Sequence, residues 1–510
     1  MKIRLLLGDQ LNSTHPWFDV VDDEVLYVQM EMRQETDYAP HHIQKLIAFF
    51  GAMRNFHQEL VQNGHHVLYM TLDAPDNRQD LTQNLQEVIR KHPTVSFSYQ
   101  SPDEYRLAEQ LKNFCKQLTI PTEEVDTHHF MASQEELHDY FTGKKQYVLE
   151  FFYRKMRKKF DLLMVGVQPE GGQWNFDKHN RKKWKGTPEI PNVYSPGKTG
   201  LKHLHQLFQE QGVKSIGYFD PETFIYPLSR AECLEQLDYF CNHLLVHFGD
   251  YQDAMHTEEL NLFHSRLSFG LNTKMISPLE VVGTVIEYYR EHTADIDLSQ
   301  VEGFVRQIVG WREYMRGIYW TQMPHYKKKN ALENKNPLPE FYWTSNTKMN
   351  CLHQSIKNSL DHAYAHHIQR LMILGNFALL AQVDPLRVDD WFLGIYADAV
   401  EWVQLPNTHG MSQWADGGIV ATKPYVSAAS YINKMGNYCE SCSYDKKKRI
   451  GENACPFNSL YWNFLDDKKV FFSKNNRMAM MLRLLEKIPA AELSEIKARA
   501  HQILKTPDAY

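Results

Sequence analysis

The sequence predicts an N-terminal doubly wound α/β domain with a parallel sheet, followed by an all-helical C-terminal domain. The chain has 510 residues, more than one hydrophobic core usually holds. Short apolar strands alternate with amphipathic helices up to about residue 135, and after about residue 201 the strand signals vanish. We therefore expect the α/β domain over residues 1–135, a connector over 136–200 and the helical domain over 201–510.

The first domain contains five predicted strands and a long helix over residues 41–63. Apolar residues recur at helical spacing along that helix, which is predicted to end at Gly64. The turn Gly8-Asp9-Gln10 directly follows the first strand, at the place where open parallel sheets bind ligands. The strands are predicted over residues 2–7, 25–30, 66–70, 95–99 and, more weakly, 124–130.

The connector and the second domain have different sequence patterns. Residues 136–200 carry basic runs, Gly171-Gly172 and several prolines with little periodicity, which predicts a long connection that packs over both domains. Amphipathic patterns in the second domain predict helices, for example over residues 301–320 and 359–382.

Composition predicts a folded cytoplasmic protein. Aromatic residues make up 13% of the chain, which favours flat, stacked pockets over disorder. The apolar run before Gly8 is too short for a signal peptide, and no later run approaches the length of a membrane span. We expect a cytoplasmic monomer that does not associate with membranes.

Positive charge is clustered, although the formal net charge is −6. Four basic runs, over residues 154–159, 181–185, 327–329 and 446–449, could together form a face suited to phosphates. A solvated surface is the more common explanation of any one such run.

Four cysteines form a candidate metal site. Cys439 and Cys442 make a Cys-x-x-Cys pair, Cys455 precedes a proline, and Cys351 lies upstream. Four thiolates suit an iron–sulfur cluster or a structural zinc ion, and the residues alone do not separate the two. The other thiols are expected to be reduced and packed: Cys115, Cys233 and Cys241.

Two segments of the helical domain carry a family resemblance. Residues 264–270 (HSRLSFG) resemble the T-S-x-L-S flavin phosphate loop of photolyases and cryptochromes, and residues 304–314 resemble their F-x-R-x-x-x-W-R-E-F helix. Serine hydroxyls and N–H groups at a helix start can bind a pyrophosphate, although such a start is more often a simple cap. The four cysteines, Asp398 and residues 366–370 narrow the resemblance to the bacterial iron–sulfur photolyases, the prokaryotic (6-4) photolyase group.

This resemblance implies three cofactors: catalytic FAD, a 4Fe-4S cluster on the four cysteines, and 6,7-dimethyl-8-ribityllumazine as an antenna. It also implies that Asp398 meets the N–H edge of the flavin and that Gln404 faces the reactive flavin nitrogen, with Trp402 as a rival. A divalent cation is a further candidate on which the sequence does not decide. The implied FAD pocket consists of Tyr251, His264, Ser265, Leu267, Ser268, Asn272, Arg312, Arg370, Asn376, Asp398 and Gln404. The implied antenna pocket consists of Gly8, Asp9, Gln10, Glu35, His42 and Phe49, where Asp9 could instead simply cap a helix.

The reaction implied by the resemblance is light-driven repair of (6-4) pyrimidine–pyrimidone photoproducts flipped out of DNA. Repair needs a proton donor near neutral pH, and His367 is the implied donor, with His366 beside it in a more structural role. Without the resemblance, each would be read as an ordinary core histidine. Animal (6-4) enzymes carry a second histidine where this chain has Leu371.

The resemblance further implies an electron relay and a DNA surface. Trp391 and Trp343 match the relay, whereas Phe392 stands where some relatives have an oxidisable tyrosine. UV-damaged DNA is the implied partner, with contacts expected from Lys423, Tyr425, Arg181, Lys182 and Lys183.

Two other functions remain open on the sequence. A blue-light receptor of the cryptochrome type would use the same FAD and relay without repair. An iron–sulfur nuclease or helicase would need a phosphate loop or acidic metal motif, and the chain has no G-x-x-x-x-G-K-S/T segment.

Overall fold

The computed structural model describes residues 1–144 and 147–510. Five parallel strands form the sheet of the N-terminal domain in the order β3-β2-β1-β4-β5, which confirms the doubly wound fold. The strands are β1 (Lys2–Leu6), β2 (Val25–Met30), β3 (Val67–Met70), β4 (Ser96–Gln100) and β5 (Thr122–Val125). The strand order reverses between β1 and β4, so a crevice opens beyond the carboxyl ends of these two strands.

Helices cover both faces of this sheet, as its apolar strands require. Helices Leu81–Lys91 and Tyr105–Cys115 pack on one face and complete a core of their own with β1, β2 and β4. Helix Ile43–Gln62 covers the other face, and its buried side chains belong to the same core as the helical domain. This helix therefore joins the two domains. A short helix, Arg33–Asp37, precedes it.

The predicted connector contains more regular structure than its sequence pattern indicates. Helices Gln134–Phe141 and Leu149–Phe160 are followed by a two-stranded ladder of Met164–Val165 and Gln168–Pro169. The helical periodicity of residues 149–160 is hidden in the sequence because Arg157, in the basic run 154–159, is buried. Its guanidinium donates to the carbonyl oxygens of Leu162 and Trp174. This run is therefore partly core, and the helices pack on the helical domain.

The second domain is helical, and the described residues after Pro169 contain no further named strand. None of the described helices is long and apolar enough to cross a membrane. The helices are Leu201–Glu210, Arg230–Tyr239, Leu245–Tyr251, Ser268–Asn272, Pro278–Glu291, Leu298–Val305, Glu313–Gln322, Phe341–Thr344, Asn350–His362, His367–Gln369, Asn376–Leu380, Pro385–Ile395, Glu401–Leu405, Ala429–Met435, Pro456–Asp467, Lys469–Phe472, Ala479–Glu486 and Ala490–Lys505. The described residues contain four π-helical segments: Phe240–Leu244, Arg306–Arg312, Arg370–Gly375 and Pro406–Ser412.

Two predicted elements differ from the structure. The helix expected over residues 359–382 is interrupted, because Ala363 adopts a left-handed conformation (φ 50°) and helical structure resumes only at His367. The last strand of the sheet, expected over residues 124–130, ends at Val125. Its pairing with β4 stops there, so residues 126–130 leave the sheet and reach the helical domain.

Candidate functional site

A cavity of about 450 Å³ lies among the helices of the second domain, within the size range of small-molecule pockets. Three of the π-helical segments, Arg306–Arg312, Arg370–Gly375 and Pro406–Ser412, contribute to its wall. Such segments are rare and frequently occur at functional sites. We call this space the central cavity.

Most residues predicted for the FAD pocket line the central cavity, whereas Tyr251 and Asn376 do not. The ring of Tyr251 packs on Phe263, and its hydroxyl donates to the carbonyl oxygen of Thr187 (3.4 Å). Asn376 is buried and fastens the backbone of Ser427 through both ends of its amide. The lining residues from the prediction are His264, Ser265, Leu267, Ser268, Asn272, Arg312, Arg370, Asp398 and Gln404, together with His366, His367 and Tyr425.

Asp398 organises one wall of the central cavity. One carboxylate oxygen accepts a hydrogen bond from the Ser268 hydroxyl (2.8 Å), and both oxygens face the Arg370 guanidinium (3.0 and 3.2 Å). The Asn272 amide donates to the backbone carbonyl of Asp398 (2.7 Å). The Arg370 guanidinium also stacks on Tyr396, 3.8 Å from the ring centroid. These contacts fix the phosphate-loop segment against the π-helical segment that begins at Arg370.

Arg312 gives the cavity a buried cation with unused donors. One terminal nitrogen donates to the Leu271 carbonyl oxygen (3.0 Å), while its Nε and Nη1 have no hydrogen-bond partner among the described residues. Burial lowers the pKa of Arg312 to about 10, which still leaves the side chain charged at neutral pH. A buried guanidinium with free donors suits a ligand that carries acceptor oxygens.

Three histidines meet where the helix is interrupted. The rings of His264 and His366 stack with centroids 4.8 Å apart and planes at 14°. His366 is 3% exposed, and neither of its ring nitrogens has a partner among the described residues. His367, the next residue, is exposed to solvent at the cavity wall. It is nevertheless recessed so far among protein atoms that desolvation, with the Arg370 charge as second cause, lowers its pKa to about 4.

The histidine cluster predicts acid sensitivity of the fold. Burial lowers the pKa of His264 to about 4, against 6.5 in an unfolded chain, so the unfolded state takes up its proton first. The free energy of unfolding should therefore fall by about 2 kcal/mol from this residue as pH drops from 7 to 5. Urea unfolding at both pH values, compared between the unmodified protein and His264→Phe, measures this difference. An equal pH dependence in both proteins would contradict the assignment.

An aromatic path leads from the central cavity to the surface. Trp391 is 1% exposed and lies edge-on to Tyr342, with centroids 5.1 Å apart. Its indole N–H donates to the backbone carbonyl of Tyr342 (3.1 Å), and the neighbouring Trp343 is 37% exposed. On the other side, Phe392 (5.3 Å) and Tyr396 (6.0 Å) contact Trp391 and line the cavity. Tyr342 and Tyr396 were not predicted as part of this path.

The four predicted metal-binding cysteines line one smaller pocket, the cysteine pocket: Cys351, Cys439, Cys442 and Cys455. Burial raises the pKa of Cys351 well above its usual range, and the three other thiols add to that shift. Among the described residues, no group of three or more His, Cys, Asp or Glu side chains converges on a position for a single metal ion. The four thiols thus border one common space.

A second cavity, of about 130 Å³, lies beyond the carboxyl ends of β1 and β4. It contains four of the residues predicted for the antenna: Gly8, Asp9, Glu35 and Phe49. The structure does not bring the other two to it. Gln10 accepts the backbone N–H of Leu7 (3.0 Å), and the ring of His42 binds the carbonyl oxygen of Leu360 (2.8 Å). We call this space the sheet-edge cavity.

Sequence reasoning missed several charged residues of the sheet-edge cavity, among them Lys45 and Glu104. Lys45 donates to the carbonyl oxygens of Leu393 and Ala399 (both 2.7 Å), and burial lowers its pKa to about 7. Burial also raises the pKa of Glu104 to about 7. Helical spacing could have indicated Lys45, because it lies one turn before Phe49, whereas His42 caps the helix and faces the other way.

A thin wall separates the two cavities. Ala399 lines both, and Trp402 lines the sheet-edge cavity rather than the central one. The guanidinium of Arg312 lies 4.7 Å from the centre of the Trp402 ring, and Phe130 completes this layer. Trp402 is therefore part of the partition, while its rival Gln404 reaches the central cavity.

Three of the four predicted DNA-contacting cations already have acidic partners. Arg181 pairs with Asp177, Lys182 with Asp250 (2.8 Å), and Lys183 with Glu440 (3.1 Å), inside the Cys-x-x-Cys segment. Lys423 is exposed. A phosphate would have to compete with these carboxylates for the three paired cations.

The central cavity also contains residues that the sequence analysis did not assign to the FAD pocket. Gln307 and Trp311 could have been found, because they lie on one helical face with Phe304, three and seven residues away. For others no sequence signal existed, since distant segments bring them together: Gln252, Asp253, Tyr396 and Asn407.

Comparison with known proteins shows extensive similarity. Residues 4–224 match the family model described as deoxyribodipyrimidine photo-lyase-related protein. A (6-4) photolyase of Agrobacterium fabrum is 40% identical over 511 residues, which covers 99% of both chains.

Solved structures share the fold at low sequence identity. A bacterial class III photolyase from Agrobacterium tumefaciens superposes with a TM-score of 0.59 at 12% identity, covering 99% of this chain and 98% of the other. A cryptochrome from Synechocystis sp. PCC6803 superposes with a TM-score of 0.56 at 12% identity, covering 92% and 93%. The photolyase and cryptochrome fold is thereby confirmed, and because 40% identity extends over 99% of both chains, the protein belongs to the family of the Agrobacterium (6-4) photolyase.

Proposed function

We propose that the protein repairs (6-4) pyrimidine–pyrimidone photoproducts in DNA under blue light, with FAD in the central cavity. The observation that carries this proposal is the histidine pair, His366 and His367, which opens into the same cavity as the phosphate-loop residues. The full-length relative named as a (6-4) photolyase supports it.

The residues of the central cavity fit FAD. Arg312 offers unused donors for phosphate oxygens, and the Ser265 to Ser268 segment borders the same space. Asp398, held by Arg370 and Ser268, has acceptor oxygens for a flavin N–H. When bound and reduced, FAD supplies the photoexcited electron for repair.

His367 would hold the proton for the lesion. Its low pKa of about 4 leaves the imidazole neutral at pH 7, so it donates through a ring N–H unless DNA binding raises its basicity. A neighbouring phosphate would favour the charged imidazolium, because an opposite charge stabilises the protonated form. Arg370 opposes that change, since its charge lies close to the same ring.

The aromatic path would return electrons to the flavin. We expect Trp391→Phe to remove most light-driven reduction of oxidised FAD, because phenylalanine is not readily oxidised. Repair with chemically reduced flavin should be unaffected. Trp414→Phe is the control, since Trp414 is also buried and also donates its indole N–H to a carbonyl, that of Ala421. Equal photoreduction in Trp391→Phe and the unmodified protein would exclude this relay.

The cysteine pocket suits a 4Fe-4S cluster. In such a cluster each thiolate binds a different iron, whereas a zinc ion needs all four sulfurs around one point. All four thiols line this one pocket, and four cysteines are the ligand set that a 4Fe-4S cluster needs. Neighbouring thiolates repel one another, which favours their protonated form. The positive charge of bound iron would overcome this repulsion and keep all four as thiolates.

The sheet-edge cavity is the proposed site of 6,7-dimethyl-8-ribityllumazine. Its position at the switch point between β1 and β4 is where doubly wound sheets bind ligands. The polar groups of Asp9, Glu35 and Lys45 suit a ligand with several hydroxyl groups.

Damaged DNA is the proposed partner of a monomeric protein. Tyr425 lines the central cavity, and Lys423, two residues before it, is exposed. The cations Arg181, Lys182 and Lys183 could exchange their acidic partners for phosphates. A divalent cation could replace the positive charge of Arg181 beside Asp177 and Asp253, which both line the cavity. We also propose that the chain divides into an α/β domain (residues 1–135), a connector (136–200) and a helical domain (201–510). The connector contains helix Leu149–Phe160.

The test is repair by the purified, reduced protein of an oligonucleotide with one (6-4) photoproduct under blue light. A matched oligonucleotide with a cyclobutane dimer measures lesion selectivity. We expect restoration of normal bases in the first and little in the second. Light-dependent flavin chemistry without repair of either lesion would instead support a receptor.

A further inference from the structure

The histidine pair, His366 and His367, lies at the interruption between helices Asn350–His362 and His367–Gln369. Hydrogen bonds hold both ends of this interruption. At one end, the Tyr226 hydroxyl lies within hydrogen-bonding distance of the carbonyl oxygens of His362 (2.7 Å) and Ala363 (2.9 Å). At the other end, the backbone N–H of His366 donates to Oε1 of Gln369 (3.2 Å). This N–H precedes the first helical turn, so it has no partner within the helix.

The second fastening leads directly to the cysteine pocket. Gln369 is fully buried, and its Nε2 donates to the Tyr438 hydroxyl (2.9 Å). Tyr438 lines the cysteine pocket and immediately precedes Cys439. The amide of Asn350, next to Cys351, donates to the backbone carbonyl of Tyr438 (2.9 Å). Two side chains therefore connect the cysteine segment to the backbone of His366.

The hydrogen bonds also fix which way the Gln369 amide points. The backbone N–H of His366 can only donate, so the amide atom of Gln369 that faces it must be the carbonyl oxygen Oε1. Nε2 then faces the Tyr438 hydroxyl, which accepts its hydrogen bond. A change at Tyr438 would thus reach the histidine backbone without any contact between them.

We propose that Gln369 is a positioning residue that uses Tyr438, on the wall of the metal site, to fix His366 and His367 in the central cavity. The inference rests on the proposed repair function. It gives the cysteine pocket a second role, because a rigid metal site would hold the proton-donating pair in place. Errors of about 1 Å in such groups can slow a reaction by about 100-fold.

Three variants test this link. Gln369→Met removes both hydrogen bonds, and Tyr438→Phe removes only the hydroxyl. Gln369→Glu keeps an oxygen for the His366 N–H and can accept the Tyr438 proton. Tyr153→Phe is the control, because Tyr153 is equally buried and its hydroxyl donates to Glu302 (3.0 Å), far from the histidine pair in the chain.

The first readout is amide hydrogen exchange of a peptide over residues 363–370 in the holoprotein. We expect Gln369→Met to exchange about tenfold faster than the unmodified protein, because the His366 N–H loses its acceptor. Tyr438→Phe should change exchange in the same direction by less. Gln369→Glu and Tyr153→Phe should stay within about twofold.

The second readout is repair with saturating damaged DNA and chemically reduced flavin. We expect the turnover rate of Gln369→Met and Tyr438→Phe to fall about tenfold or more, with DNA affinity, FAD content and iron content unchanged. Gln369→Glu should keep most of the turnover rate of the unmodified protein.

Unchanged exchange and turnover in both Gln369→Met and Tyr438→Phe would overturn the proposal, as would a loss that lies wholly in DNA affinity or cofactor content. Absence of repair by the unmodified protein would instead refute the proposed function. The exchange measurement needs no substrate and would still decide whether Gln369 fixes the histidine segment.

Discussion

His367→Ala should lower the rate of (6-4) repair by about 10²- to 10⁴-fold, the usual contribution of a general acid. His367 lines the cavity and is the solvent-exposed member of the histidine cluster, so its removal leaves no exposed histidine in that cluster. Binding of DNA and FAD should change little, because the residue carries neither the Asp398 nor the Arg312 contacts. Single-turnover repair after a light pulse measures the rate, and gel shift and flavin absorbance measure the two affinities.

His367→Asn separates proton transfer from hydrogen bonding. Asparagine keeps an N–H donor but does not gain a proton near neutral pH. We expect this variant to repair nearly as slowly as His367→Ala. Recovery of the full rate would show that a hydrogen bond suffices and would remove His367 from the role of proton donor.

Cys351→Ala should cost the protein the proposed 4Fe-4S cluster and most of its stability. The binding free energy of a structural metal becomes folding energy, and for zinc sites it amounts to about 10–16 kcal/mol. Cys351 is the second residue of helix Asn350–His362, while the other proposed ligands follow Ala429–Met435 or precede Pro456–Asp467, so loss of one ligand should release three segments. Iron content and the temperature of unfolding measure the effect.

Cys241→Ala provides the matched control for that experiment. Cys241 is also buried, but it lies outside the cysteine pocket. It should retain iron and unfold within a few degrees of the unmodified protein. A Cys351→Ala protein with full iron content would contradict the assignment of the cysteine pocket.

Much of the architecture could be predicted because its signals are local. Buried parallel strands appear as short apolar runs, and β2 begins and ends where its sequence predicts. The phosphate-loop serines, Arg312 and Asp398 were also predictable, since fixed motifs carry them into one cavity. The four cysteines met around one pocket for the same reason.

Other features depend on tertiary contacts that leave no periodic signal. Apolar spacing continues through Ala363, so nothing in the pattern indicates its left-handed backbone. A tertiary contact of the Tyr226 hydroxyl with the Ala363 carbonyl oxygen fastens this interruption, together with the local cap of Gln369 on the His366 N–H. The helix carrying Arg157 was likewise hidden, because a buried arginine with three carbonyl partners resembles a surface charge in sequence.

The partition formed by Trp402, Arg312 and Ala399 has a thermodynamic consequence. A ligand in one cavity that orders this shared layer lowers the conformational entropy that the protein loses when a ligand binds in the other cavity. By thermodynamic linkage, each ligand raises the binding affinity of the other by the same factor. The antenna site and the catalytic site would then fill cooperatively, even though their ligands never touch.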